Sequence, residues 1–86
     1  MTVVARLPGG IAIVFYYDDH PPAHFHAIVN GINVPFDIDE PMPIRGMLSP
    51  SHHRTIRGWA MRHRDELFLN WALARAYQPL ASIGYP

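Results

Sequence analysis

Apolar residues alternate or run together over the first half of the chain, and recur at steps of three and four over the second. Thr2 to Leu7 is short, rich in β-branched residues, and stops at Pro8-Gly9-Gly10, where glycine takes positive φ at no steric cost; a strand and a turn are expected. Ile11 to Tyr17 is a nearly unbroken apolar run, the pattern of a central strand buried on both faces. Asp18 to Pro22 interrupts it as a stiff loop, because Pro21 and Pro22 cannot donate to a ladder. Ala23 to Val29 reads as a third strand, and Asn30-Gly31 is a strong two-residue hairpin signal. Ile32 to Ile38 then returns as a fourth strand, which Pro35 confines to an edge or a bulge. Side chains alternate across a strand, so Ala23, Phe25, Ala27 and Val29 share one face while His24, His26 and Ile28 share the other.

Asp39 to Leu48, interrupted by Pro41 and Pro43, reads as an irregular crossing from sheet to helix. Ser49 is placed to cap a helix that starts with Pro50, where the missing N–H costs nothing. From Pro50 to about Gln78 the stripe Ile56, Ala60, His63, Leu67, Trp71 and Ala74 is helical, widened by Trp59, Phe68 and Ala72. A single helix of that length would run roughly 43 Å, more than a four-stranded sheet can cover. A break or kink is therefore expected around His63-Arg64-Asp65-Glu66, where the two carboxylates suit the first turn of a second helix, the alternative being one bent helix. Pro79 ends the pattern, leaving Leu80 to Pro86 as a tail expected to pack through Leu80, Ile83 and Tyr85. The expected fold is one α+β domain over residues 1–86: a small, mainly antiparallel sheet of three to four strands, with C-terminal helical segments packed on one face. Trp59, Leu67, Phe68 and Trp71 are its expected helical core.

Composition narrows the chemistry. The absence of cysteine removes disulfides, thiolate metal sites and a cysteine nucleophile, so any metal must be held by imidazole and carboxylate. Seven arginines balance seven carboxylates with no lysine, which gives no whole-protein field for a polyanion. No apolar run approaches the roughly 20 residues of a membrane span, so a soluble, cytoplasmic protein is expected. At 86 residues the core is small, and a short sheet with an exposed edge makes a homodimer the expected state.

Chemically capable groups concentrate in Asp18-Asp19-His20-Pro21-Pro22-Ala23-His24-Phe25-His26, which holds three of the six histidines. Two imidazoles at alternate positions of a strand lie on one face about 7 Å apart at the backbone, close enough to share an ion. His20, His24 and His26 are the candidate metal ligands, with Asp18 or Asp19 adding an oxygen; zinc, nickel, iron and manganese suit such a set about equally. The same residues also suit a metal-free acid–base set, His24 and His26 with Asp19, able to cleave RNA phosphodiesters. A third possibility is structural, with the imidazoles capping loop carbonyls. Arg54, Arg57 and Arg64, with His53 near them, share a helical face that suits phosphates or an acidic partner, or is simply a solvated face balanced by Asp65 and Glu66. His63, inside the apolar stripe, reads as a hydrogen-bonded, half-buried residue. No nucleophile-elbow serine or phosphate-binding glycine loop is present.

Asp19-His20-Pro21-Pro22-Ala23-His24-Phe25-His26 after a strand pair, Trp59 to Trp71 (WAMRHRDELFLNW), and ARAYQPLASI from Ala74 together resemble the DUF4160 family of small bacterial domains. The resemblance covers essentially the whole chain. It implies no established activity. It does imply an accessory or partner-binding protein, of the kind found in toxin–antitoxin-like gene neighbourhoods.

Overall fold

The computed structural model describes residues 1–86. The elements run β1 (Thr2–Leu7), β2 (Ile11–Phe15), β3 (His24–Val29), β4 (Ile32–Asp37), α1 (Pro50–Arg62) and α2 (Arg64–Arg75). The strands form a meander in the order β1-β2-β3-β4, antiparallel throughout, so the α+β expectation holds with four strands. β2 is central as expected but ends at Phe15, leaving Tyr16 and Tyr17 to lead into the next loop. Asn30 (φ 51°) and Gly31 (φ 78°) make the two-residue turn that pairs Val29 with Ile32 and sets the β3–β4 register. β4, which carries Pro35, is an edge strand, and Pro35 accepts a hydrogen bond on its outer side from Ile44 N at 2.8 Å. The opposite edge bulges between Val3 and Ala5, and there Val4 O accepts from Ile83 N, also at 2.8 Å. Segments of the same chain thus touch both sheet edges.

One face of the sheet and the helices enclose the core: Val4, Leu7, Ile11, Ile13, Phe15, Phe25, Ala27, Val29, Val34, Phe36 and Ile38 meet Ile56, Trp59, Ala60 and Leu67. Phe25 stacks on Phe36 with ring centroids 5.5 Å apart and meets Trp59 edge-on at 6.4 Å. Trp59 and Leu67 are fully buried, as expected of the helical core. Phe68 and Trp71 are only half-buried at its margin, Ala72 is exposed, and Asn70 takes a buried place instead. Asn70 Nδ2 donates to Ala81 O and its Oδ1 accepts from Ala81 N, both at 2.8 Å, which clamps the tail to α2. The tail packs through Leu80 and Ile83, whereas Tyr85 stays exposed.

The helical run breaks at His63, with Asp65 and Glu66 in the first turn of α2. His63 is half-buried and held by Glu66 Oε1 at 2.6 Å and Pro86 O at 3.0 Å. Ser49 caps α1, accepting from His52 N at 3.2 Å, while the His52 ring reaches Gly9 O at 3.1 Å and ties the helix start to the first turn. α2 ends three residues before Gln78. Tyr77 takes positive φ (56°), Gln78 N donates to Leu73 O and Tyr77 N to Ala74 O, the paired bonds of a Schellman ending. The break also places Arg64 on a different helix from Arg54 and Arg57, and Arg57 is committed to Glu40 Oε1 and Pro41 O, both at 3.1 Å. No helix is long and apolar enough to cross a membrane.

Candidate metal centre

His24 and His26 project from the sheet face opposite the core, the consequence of strand alternation with Phe25 pointing the other way. His26 lies between Val14 of β2 and Pro35 of β4. Both histidines are largely shielded, at 9% and 7% exposure, by the β2–β3 loop and by aromatic neighbours. Tyr16 meets the His26 ring edge-on at 4.6 Å, and Trp71 lies 5.2 Å from the His24 ring. Arg75 in turn sits over the Trp71 ring at 5.7 Å and donates from Nη1 to Asp19 O at 2.7 Å. Two further bonds fasten the loop to the end of α2: Tyr77 Oη donates to Asp18 Oδ1 at 2.9 Å and Tyr17 Oη to Gln78 O at 3.0 Å. The Asp18 carboxylate raises the Tyr77 phenol pKa above its usual value, first by accepting this hydrogen bond and second by its charge.

This anchoring delivers the Asp19 carboxylate to the histidines. Asp19 Oδ2 lies 3.1 Å from His24 Nε2 and 2.9 Å from His26 Nε2, and the ligand atoms of the three residues all fall within 4.8 Å of one another. His20 is exposed and is not part of this cluster, so of the three expected ligands the structure brings together His24 and His26, with Asp19 as the third group. Asp18 is likewise turned away, toward Tyr77.

Each ring is oriented by its other nitrogen. His24 Nδ1 lies 2.7 Å from Pro22 O, and because a carbonyl oxygen only accepts, Nδ1 carries the hydrogen. His26 Nδ1 lies 2.9 Å from Asn33 Oδ1, while the Asn33 amide nitrogen donates to Tyr16 Oη at 2.9 Å, which directs its oxygen to the ring. With Nδ1 carrying the hydrogen, a neutral form of each imidazole would present its Nε2 lone pair to the one carboxylate oxygen. Lone pairs facing a carboxylate repel unless protons or a shared cation lie between them. Two ring nitrogens fixed by hydrogen bonds from behind, plus one carboxylate, are the donor set of a divalent transition-metal site with open positions. Bonds of 2.0–2.1 Å in a tetrahedral arrangement place ligand atoms about 3.3 Å apart, so to hold an ion the two ring nitrogens would draw together within the 4.8 Å span of the cluster while Asp19 moves back by a few tenths of an ångström.

Asn33 and Tyr16 were not visible as site residues from composition. The hairpin register could have found Asn33: with Val29 opposite Ile32, Asn33 falls on the His26 face of the neighbouring strand, two positions from Pro35. The family model described as a domain of unknown function, DUF4160, matches residues 10–72, a span that includes all three ligand candidates, Tyr16 and Asn33. No curated protein and no solved structure matches the chain. Since the family match extends over most of the chain and encloses the whole cluster, the chain belongs to the DUF4160 family.

Proposed function

We propose that the protein binds one divalent transition-metal ion through His24 Nε2, His26 Nε2 and Asp19 Oδ2, and works as a small binding or regulatory accessory protein. The observation that carries this reading is the pair of imidazoles whose Nδ1 atoms are both spent on oxygen acceptors, leaving both Nε2 atoms aimed at one carboxylate oxygen. Zinc, iron, nickel and manganese all accept such a donor set. The accessory role, and with it a place in a toxin–antitoxin-like module, follows the family resemblance. It also suits the surroundings: the depressions beside Asp19 are open and lined mostly by polar residues. The ribonuclease-like alternative has less support, because an acid and a base need separate partners and here both rings share one oxygen.

Melting the purified chain with and without zinc, nickel, manganese and ferrous ions tests the proposal. An ion at a hundredfold its Kd adds about 2.7 kcal/mol of stability. That increment should vanish in His24→Ala, His26→Ala and Asp19→Asn, and persist in His20→Ala and His52→Ala. Loss of the increment in His20→Ala would instead restore the all-histidine set, and a wild-type chain that no ion stabilises would sink the metal reading.

A further inference from the structure

Three protein ligands leave a divalent ion at least one open position, and the surface beside these ligands indicates what fills it. Asp19 and His24 also line an open depression of about 250 Å³, whose walls include His20, Pro35, Ile44 and Arg45. Arg45 is exposed, and none of the four ion pairs of the chain involves it. Its backbone is nonetheless fixed on both sides. Ile44 N is bonded to Pro35 O at 2.8 Å, and Gly46 turns the chain at φ 73°, a conformation that disfavours any residue with a Cβ. A guanidinium with no protein partner thus stems from a fixed stretch of backbone at the depression that Asp19 and His24 also line. With a divalent ion on one carboxylate and two rings, the depression that Arg45 also lines would be cationic.

Resting on the metal reading above, the geometry points to a small oxyanion, phosphate or carboxylate, as the ligand of this site, one oxygen on the ion and another on the Arg45 guanidinium. The planar guanidinium fork matches either oxyanion in bidentate fashion, and His20 adds a ring donor on the same rim. The polar rim with Pro35 and Ile44 beside it suits the charged end of a small molecule or of a modified side chain.

The test uses the full chain loaded with cobalt(II), whose visible absorption reports its coordination. Inorganic phosphate and acetate are titrated separately against chloride at matched ionic strength. Saturable change of the cobalt spectrum with phosphate alone identifies a phosphoryl ligand, with acetate alone a carboxylate, and either result supports the inference. In Arg45→Ala the oxyanion affinity should fall roughly ten- to hundredfold, as expected for loss of one charge-assisted pair, while cobalt binding is kept; Arg45→Lys should recover part of it. Cobalt binding with no response to either oxyanion, or an Arg45→Ala response equal to wild type, overturns this inference and leaves the metal site standing. A chain that does not take up cobalt overturns both.

Discussion

Asn33 Oδ1 reaches from β4 to β3 and lies 2.9 Å from His26 Nδ1. This contact sets which nitrogen of the ring faces Asp19, so Asn33 positions a candidate ligand without being one. Asn33→Ala should weaken metal binding by roughly ten- to a hundredfold with little change in apo stability, as removal of such supporting partners does elsewhere. Calorimetric titration of the variant checks it; wild-type affinity would show that the ring orients itself.

Trp59 and Trp71 should separate sharply in denaturant unfolding. Trp59 is fully buried against Phe25, and Trp59→Ala should cost about 3–5 kcal/mol, a large share of the stability of so small a domain. Trp71, half-buried against His24 and Arg75, should cost less when truncated, but should weaken metal-dependent stabilisation because it supports the His24 ring and the Arg75 bond to Asp19. Equal losses for the two would contradict the packing.

Asn70→Ala leaves Ala81 N and O without their partners and should cost about 2–3 kcal/mol. The loss should be accompanied by faster hydrogen exchange and proteolysis confined to residues 79–86. Protection of the tail equal to wild type would mean that Ile83 and Leu80 hold it unaided.

Tyr77 supplies the pH test. Its phenol pKa is raised because Asp18 accepts a hydrogen bond from the phenol and repels the phenolate, so the Tyr77–Asp18 bond is fully present below the ordinary phenol pKa of about 10 and is lost as pH climbs through the raised value. In a spectroscopic titration, the phenolate signal that Tyr77→Phe removes should appear later than that of an ordinary tyrosine, and Asp18→Asn should bring it back. An unchanged midpoint in Asp18→Asn would show that the bond does not persist in solution.

Local pattern carried the sheet and the helix break: the Asn30-Gly31 turn, the prolines and the Asp65-Glu66 pair each act within a few residues of chain. The choice of Asp19 over His20 was not readable in that way. It depends on Arg75 holding Asp19 O from 56 positions away, and on the Tyr77–Asp18 bond, contacts that exist only once α2 lies against the sheet. Asn70 was readable and missed. It sits three residues after Leu67 and four before Ala74, inside the buried stripe, but a polar side chain there looks like an interruption until its partner on the tail is known. The homodimer expectation rests on an open sheet edge and an aromatic-rich helix; single hydrogen bonds from Ile44 N to Pro35 O and from Ile83 N to Val4 O reach the two sheet edges.

Strand β3 assigns its residues alternately to two tasks. Phe25, Ala27 and Val29 hold the domain together, while His24 and His26, on the opposite face of the same strand, lie outside the apolar core. Chemistry and cohesion are interleaved in one short segment yet are mechanically separate. The outward positions can be rewritten with the Phe25, Ala27 and Val29 face unchanged, and they form a natural place to graft a different donor set. Length, by contrast, is unforgiving. A single inserted or deleted residue in β3 would turn phenylalanine outward and histidine inward, exchanging the two roles and removing both at once.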